Sequence, residues 1–187
     1  MIFFAVLFII FITIVIVVAY EKKSDKEAET IARNLNTLVK SQGGNVARSI
    51  SYIQYPVRYR VVIDDGKKEL HIFSGSDFEK RESVPFSDVL GFEAFKSGKS
   101  SVSIGKAIVG GVVAGGVGAL IGAQSGAKEK LSSYTALLYR KDLSHPSYEF
   151  NFKLSGMDQT SATVENADRF VADLSGVIRS IVLQYSN

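Results

Sequence analysis

The spacing of apolar and polar positions changes several times along this chain, and the first pattern is one uninterrupted apolar run. Residues 2–19 (IFFAVLFIIFITIVIVVA) are apolar except for Thr13. A helix of this length, rising about 1.5 Å per residue, is about 27 Å long, close to the hydrocarbon thickness of a bilayer. The pattern therefore predicts a transmembrane helix over residues 1–20.

The residues that flank this run favour an anchor over a cleaved signal peptide. No basic stretch precedes the run, and no small-x-small cleavage site follows it. We expect Tyr20, Lys22 and Lys23 to lie at the membrane interface. Because basic residues favour the cytoplasmic side, the prediction is a cell-membrane protein with a single N-terminal anchor and a cytoplasmic C-terminal domain.

A helical spacing follows the anchor. Ser24 and Glu27 form the Ser-x-x-Glu pattern of a capping box, and Gly43-Gly44 provides a stop signal. The apolar positions between them are Ala28, Ile31, Leu35 and Leu38. This pattern predicts a short amphipathic stalk helix within residues 21–44.

From residue 45 the apolar period changes to two, which is typical of strands. Turn residues interrupt the alternation at 64–67 (DDGK) and 74–77 (SGSD). The alternating runs lie at 50–52, 59–63, 70–72, 85–95, 134–140 and 148–154. About seven antiparallel strands are predicted.

The last segment returns to a helical period. Ten apolar residues recur at spacings of three and four between Val164 and Tyr185, while charged residues such as Asp168 and Arg179 occupy the other side. We expect one long amphipathic helix that packs on the sheet. The predicted fold class is therefore mainly β (α+β), as one domain over residues 45–187.

A glycine-rich apolar insert at residues 101–130 interrupts the predicted strands. Residues 107–127 carry no formal charge, and residues 105–126 contain eight of the sixteen glycines. In a helix, five of these glycines would form a stripe that lets another backbone approach closely, as small residues do in membranes. They are Gly111, Gly115, Gly118, Gly122 and Gly126.

Two conformations of this insert remain open. If the strands on both sides of it share one sheet, a single membrane crossing would separate them. A helical hairpin that turns near Gly115-Gly116 would have arms of about 15 Å, which reach one leaflet deep. We therefore expect a re-entrant or interfacial hairpin. The alternative is a mobile loop, although flexible linkers favour polar residues over Val, Ile and Leu.

Composition excludes several kinds of chemistry. The chain has no cysteine, which rules out disulfides, thiolate metal sites and thiol nucleophiles. Its 22 basic and 19 acidic residues are spread along the chain, without the dense basic face of a nucleic-acid-binding protein. We expect no nucleic-acid partner.

No motif for catalysis, cofactor binding or metal binding stands out. Gly98-Lys99-Ser100 resembles the end of a P-loop, but Glu93 occupies the position of the first glycine. His71 and His145 are the two histidines, and no Ser/His/Asp set or metal-ligand spacing surrounds either. We expect a protein that is not an enzyme and needs no cofactor.

The order of these patterns resembles a group of uncharacterised bacterial membrane-anchored proteins with a PH-like domain interrupted by a glycine-rich apolar insert. The resemblance rests on residues 61–65 (VVIDD) and 68–73, residues 84–90 (VPFSDVL) before Glu93, the insert and the closing helix. It implies a PH-like fold over most of residues 45–187.

Two functional hypotheses follow. The first is a binding or scaffold module tethered at the cytoplasmic face of a membrane, with membrane lipid as partner. The word binding comes from the fold resemblance alone. The second is a glycine-zipper-driven membrane assembly protein that affects membrane permeability or transport, with itself or another membrane protein as partner.

Overall fold

The computed structural model describes residues 26–54, 56–97, 102–104, 130–158 and 161–185, with the backbone alone at 102–104. The predicted transmembrane helix (1–20) and nearly all of the glycine-rich insert lie outside these ranges. Within the described ranges, no helix combines the length and apolar character needed to cross a bilayer.

The described elements begin with a helix and continue with strands. Residues 26–41 are helical (α1), and a 3-10 turn spans Phe86–Asp88. The strands are β1 (Val46–Gln54), β2 (Val57–Asp64), β3 (Glu69–Gly75), β4 (Lys80–Pro85), β5 (Val89–Ser97), β6 (Val102–Ile104), β7 (Ser133–Arg140) and β8 (Ser147–Asn151). Helix α2 (Ala162–Tyr185) ends the described chain.

The strands form two antiparallel sheets of four strands each. Strands β1–β4 make the first sheet in the order β1-β2-β3-β4, and the second has the order β6-β5-β7-β8. The predicted mainly-β class with antiparallel strands and a C-terminal helix is confirmed. The described chain holds eight strands rather than about seven. The polar β4 (KRESVP), with Val84 as its buried apolar residue, gives no alternating apolar signal, and β6 is a strand within the segment 101–130 that was predicted as a helical insert.

Helix α2 supplies one side of the main core. Its buried face contains Val164, Ala167, Phe170, Val171, Leu174, Ile178 and Ile181. Phe170 lies at the centre of an aromatic cluster, with ring centroids 5.6 Å from Phe150, 5.9 Å from Phe152 and 6.3 Å from Tyr52. The helix therefore closes the space between the two sheets.

Helix α1 covers the opposite face of the first sheet. Ala28, Ala32 and Val39 are buried there in a second, smaller core with Val62 and Phe73. Consequently β2 is buried at seven of its eight positions, since one face meets the main core and the other meets α1.

Two contacts set the direction of α1. The Asn36 side chain donates a hydrogen bond to Ser49 Oγ (3.3 Å), and Ser49 is paired with Val62. Further along α1, the carbonyl of Val39 accepts a bond from Gly44 N, next to the end of β2. Helix α1 thus runs in the same direction as β2. Its first described turn lies toward the β1–β2 and β3–β4 turns, where Ile53 and Phe78 join the same cluster.

Candidate functional site

The residues predicted to contact the membrane lie outside the described ranges. This applies to the interfacial residues Tyr20, Lys22 and Lys23 and to the whole glycine stripe, Gly111, Gly115, Gly118, Gly122 and Gly126. Their roles stay predictions. The described residues do show where the insert joins the domain.

The insert joins the domain between neighbouring strands. Strand β5, which precedes it, pairs directly with β7, which follows it. Asp168 on α2 connects these two strands. Lys96 Nζ of β5 donates to its Oδ2 (2.7 Å), and the Tyr134 hydroxyl of β7 donates to its Oδ1 (2.7 Å). The first described part of the insert, β6, pairs with β5 on the side away from β7, so the strands on both sides of the insert share one sheet, as the hairpin interpretation requires.

A cleft of about 390 Å³ opens beside the β1–β2 and β3–β4 turns. We call it the end cleft. Apolar groups of Val57, Tyr59 and Ile72 line it, together with the charged residues Lys80, Arg81, Glu82 and Glu149. The Arg140 guanidinium pairs with Glu82. The Arg81 guanidinium lies over the Phe73 ring on the α1 side of the sheet, 5.5 Å from the ring centroid, so Lys80 provides the positive charge of the end cleft and Glu149 a negative charge. The end cleft therefore favours a polar group carrying both charge signs over a strongly anionic ligand.

The fold brings together a Ser/His/Asp set that is not recognisable in the sequence. His71 is buried, its Nδ1 lies 2.8 Å from Ser83 Oγ, and its Nε2 lies 3.4 Å from Asp64 Oδ2. Ser83 is the cross-strand partner of His71, so the contact depends on the β3–β4 register. The prediction that no such set surrounds His71 is wrong in this respect.

Asp64 uses most of its hydrogen-bonding capacity to hold the β2–β3 turn. Its Oδ1 accepts bonds from the backbone N–H groups of Asn45 (2.8 Å), Gly66 (3.0 Å) and Lys67 (3.1 Å). Burial raises the pKa of Asp64, but these bonds and the one from His71 outweigh it, so the pKa lies below its usual range. A Cβ at Gly44 would lie 2.2 Å from Asp64 Oδ2, which explains the glycine there.

This Ser/His/Asp set has the contacts of a structural network more than those of a catalytic site. Asp64 is fully buried and committed to backbone groups, whereas a catalytic aspartate mainly orients its histidine. Ser83 is exposed on an edge strand and does not line the end cleft. A catalytic serine also needs donors for an oxyanion beside a substrate pocket.

The other candidate residues from the sequence lie in an exposed turn or in the hydrophobic core. His145 is exposed in the β7–β8 turn, 3.4 Å from Asp142. Phe150 and Phe152 are core residues, and Tyr148 packs against that core. Among the described residues, no group of three or more His, Asp or Glu side chains is arranged to hold a metal ion.

Comparison with known proteins gives one match. A family model described as a glycine zipper containing PH domain matches residues 48–153, more than half of the 187 residues. The matched region runs from β1 past β8 and includes the glycine-rich insert. No curated protein and no solved structure matches the chain.

Proposed function

Because this chain belongs to the family of glycine zipper containing PH domains, we propose that it is a membrane-tethered binding module that performs no catalysis. The family itself suggests a binding or scaffold role, and PH domains commonly bind lipids or proteins. The anchor is the apolar segment 1–20, and the domain lies at the cytoplasmic face of the cell membrane.

The main support for this proposal is the direction in which α1 runs. Its first described turn lies toward the β1–β2 and β3–β4 turns, which also border the end cleft. A chain that continues from residue 26 back into an anchor ending at residue 20 therefore holds the cleft close to the membrane surface. The opposite end of the first sheet, at the β2–β3 turn, points away from the membrane.

The chemistry of the end cleft suggests which lipid it meets. Lys80 offers a cationic donor, and Glu149 offers an acceptor of opposite charge. A zwitterionic headgroup presents both a phosphate and an ammonium group, so it matches this lining better than a polyphosphate headgroup does. Lipid is accordingly the proposed partner at this end.

We expect a probe at the end cleft to lie nearer the bilayer than a probe at the β2–β3 turn. The chain lacks cysteine, so Lys80→Cys and Lys67→Cys each introduce a single labelling site at an exposed position. The two sites lie at opposite ends of the first sheet, and an eight-residue strand spans about 26 Å. Fluorophores at these sites in reconstituted vesicles are quenched by lipids that carry a headgroup nitroxide.

Strong quenching at position 80 with little at position 67 is the expected result. Equal quenching at both sites, or stronger quenching at 67, would contradict the proposed orientation. In intact cells, a membrane-impermeant maleimide should label neither cysteine until the cells are permeabilised. A cysteine placed directly after Met1 is the matched control and should react without permeabilisation. Labelling of position 80 in intact cells would place the domain outside the cytoplasm.

The glycine-rich insert supports a second candidate function, assembly within the membrane. The family description itself names a glycine zipper, and the strands that flank the insert, β5 and β7, pair with each other in one sheet. In this function a re-entrant hairpin presents the glycine stripe to a second copy or to another membrane protein, and the assembly alters permeability or transport.

Changing Gly115, Gly118 and Gly122 together to leucine should abolish this assembly while membrane attachment survives. Leucine keeps the segment apolar but blocks close approach of two backbones. Crosslinking in native membranes at matched expression measures the effect. The control changes Gly105 and Gly110, which lie off the stripe in a helix and away from the predicted turn, to leucine and should leave crosslinking intact. Unchanged crosslinking in the stripe variant contradicts assembly and leaves the tethered binding module.

A further inference from the structure

Arg60 on β2 is a buried cation beneath α1. Its side chain is 7% exposed, and it forms no ion pair with a carboxylate within the described ranges. The two terminal nitrogens donate to hydroxyl oxygens, Nη1 to Ser51 (2.5 Å) and Nη2 to Ser49 (2.8 Å). Its Nε has no hydrogen-bond partner among the described residues. A buried guanidinium without a counter-charge is costly, so its surroundings favour negative charge.

The positive charge of Arg60 polarises the hydroxyl groups of Ser49 and Ser51, which makes them stronger hydrogen-bond donors. Ser49 Oγ accepts from both Arg60 Nη2 and Asn36 Nδ2, so its two lone pairs are used and its own proton must be donated elsewhere. Ser51 Oγ accepts from Arg60 and also keeps its proton free to donate. Among the described residues, neither hydroxyl proton has an acceptor.

The β1 segment that contains both serines borders a groove of about 220 Å³ beside α2, while the serine hydroxyls point to the face that α1 covers. We call it the β1 groove, and its other lining residues include Ile53, Asn166 and Arg169. Strand β1 ends its sheet, so the side of β1 away from β2 has no strand partner in the described chain. Alternate backbone N–H and C=O groups along that side are therefore open to another strand.

Charge around the β1 groove favours an acidic occupant. Arg48 pairs with Asp173 (2.8 Å) and Arg169 pairs with Glu165 (3.1 Å), which leaves the charge of Arg60 without an acidic partner in the described ranges. On a strand added beside β1, alternate side chains point to the same face as Ser49 and Ser51, the face that α1 covers. A carboxylate there would accept the hydroxyl protons of Ser49 and Ser51 and balance this charge.

We propose that the β1 groove binds an acidic peptide segment of a partner protein in extended conformation. The peptide adds as a strand to the free side of β1, and its main-chain hydrogen bonds supply affinity. An Asp or Glu side chain of the peptide accepts bonds from Ser49 and Ser51, which supplies specificity. This site is separate from the end cleft and does not depend on the membrane tether.

Two fluorescein-labelled heptapeptides test the proposal on the full chain in detergent micelles. One alternates valine with glutamate, and the other alternates valine with glutamine. A charge-assisted hydrogen bond contributes about 1.5–3 kcal/mol, so the glutamate peptide should bind at least about tenfold more tightly by fluorescence anisotropy. Amide chemical shifts of β1 should change on binding.

The double variant Ser49→Ala with Ser51→Ala should bind the glutamate peptide as weakly as the wild-type chain binds the glutamine peptide. Ser144→Ala with Ser155→Ala, at exposed positions away from the groove, is the matched control and should bind like wild type. Three results would overturn the proposal: equal affinity for both peptides, no binding of either, or unchanged affinity in the groove variant. β1 shifts that depend on protein concentration without peptide would assign the groove to a second copy and also overturn it.

Discussion

Replacing Phe170 with alanine is expected to lower the free energy of unfolding by about 3–5 kcal/mol, as for other fully buried aromatic residues. Phe170 is 2% exposed and lies among the rings of Tyr52, Tyr59, Phe150 and Phe152, which come from three strands and the segment after β8. Its removal leaves a cavity where both sheets and α2 meet. Because small domains are stabilised by about 5–15 kcal/mol, this loss is a large share of the total.

Urea denaturation followed by far-ultraviolet circular dichroism measures this loss. Leu183→Ala is the matched control, because Leu183 lies on the same helix but is 73% exposed, and a change of less than about 0.5 kcal/mol is expected there. Phe170→Leu should fall between the two, since leucine refills part of the cavity. Similar losses for Phe170→Ala and Leu183→Ala would show that the aromatic cluster is not the centre of the core.

Replacing Asp64 with alanine is expected to cost about 3 kcal/mol. The substitution removes the carboxylate that accepts from the N–H groups of Asn45, Gly66 and Lys67, and a hydrogen bond to a charged group contributes about 1.5–3 kcal/mol. Some of these groups regain water when the turn relaxes, which keeps the total near the lower limit. Asp65→Ala is the matched control, because its partner Lys68 is a surface residue and the pair is exposed.

The same substitution should change how stability depends on pH. The pKa of Asp64 is lower in the folded protein than in the unfolded chain, where it is about 3.9. Its contribution is therefore complete above that value and is lost as the pH falls through the folded pKa. Wild-type stability should drop below about pH 4 more steeply than that of Asp64→Ala. Parallel curves for the two proteins would mean that the carboxylate is not preferentially bound in its charged form.

The β2–β3 hairpin and the buried face of α2 could be predicted because short-range patterns determine them. A turn motif at residues 64–67 lies between alternating runs, and the apolar positions of α2 follow one helical stripe. The packing of α1 could not be predicted in this way. Its apolar residues fit a free stalk as well as a docked helix, and the sequence does not state which surface they cover. The evidence that α1 packs on the sheet is the burial of β2 (VRYRVVID) on both of its faces.

The buried polar contacts depend on strand register, which the sequence does not specify. His71 meets Ser83 because β3 and β4 pair in one alignment, and a shift of one residue would turn Ser83 to the other face. Arg60 reaches Ser49 and Ser51 through the pairing of β1 with β2. Both arginines of β2, Arg58 and Arg60, are buried.

The parallel course of α1 and β2 determines how the domain responds to force. A pull on the chain before residue 26, directed along the axis of α1, loads the contacts of Ala28, Ala32 and Val39 together. A pull away from the sheet loads them one after another, starting at Ala28, so the helix detaches by peeling at a much lower force. A force along the axis of α1 and a force away from the sheet are thus resisted unequally. Peeling uncovers Val62, Phe73 and the guanidinium of Arg60 before either sheet unfolds.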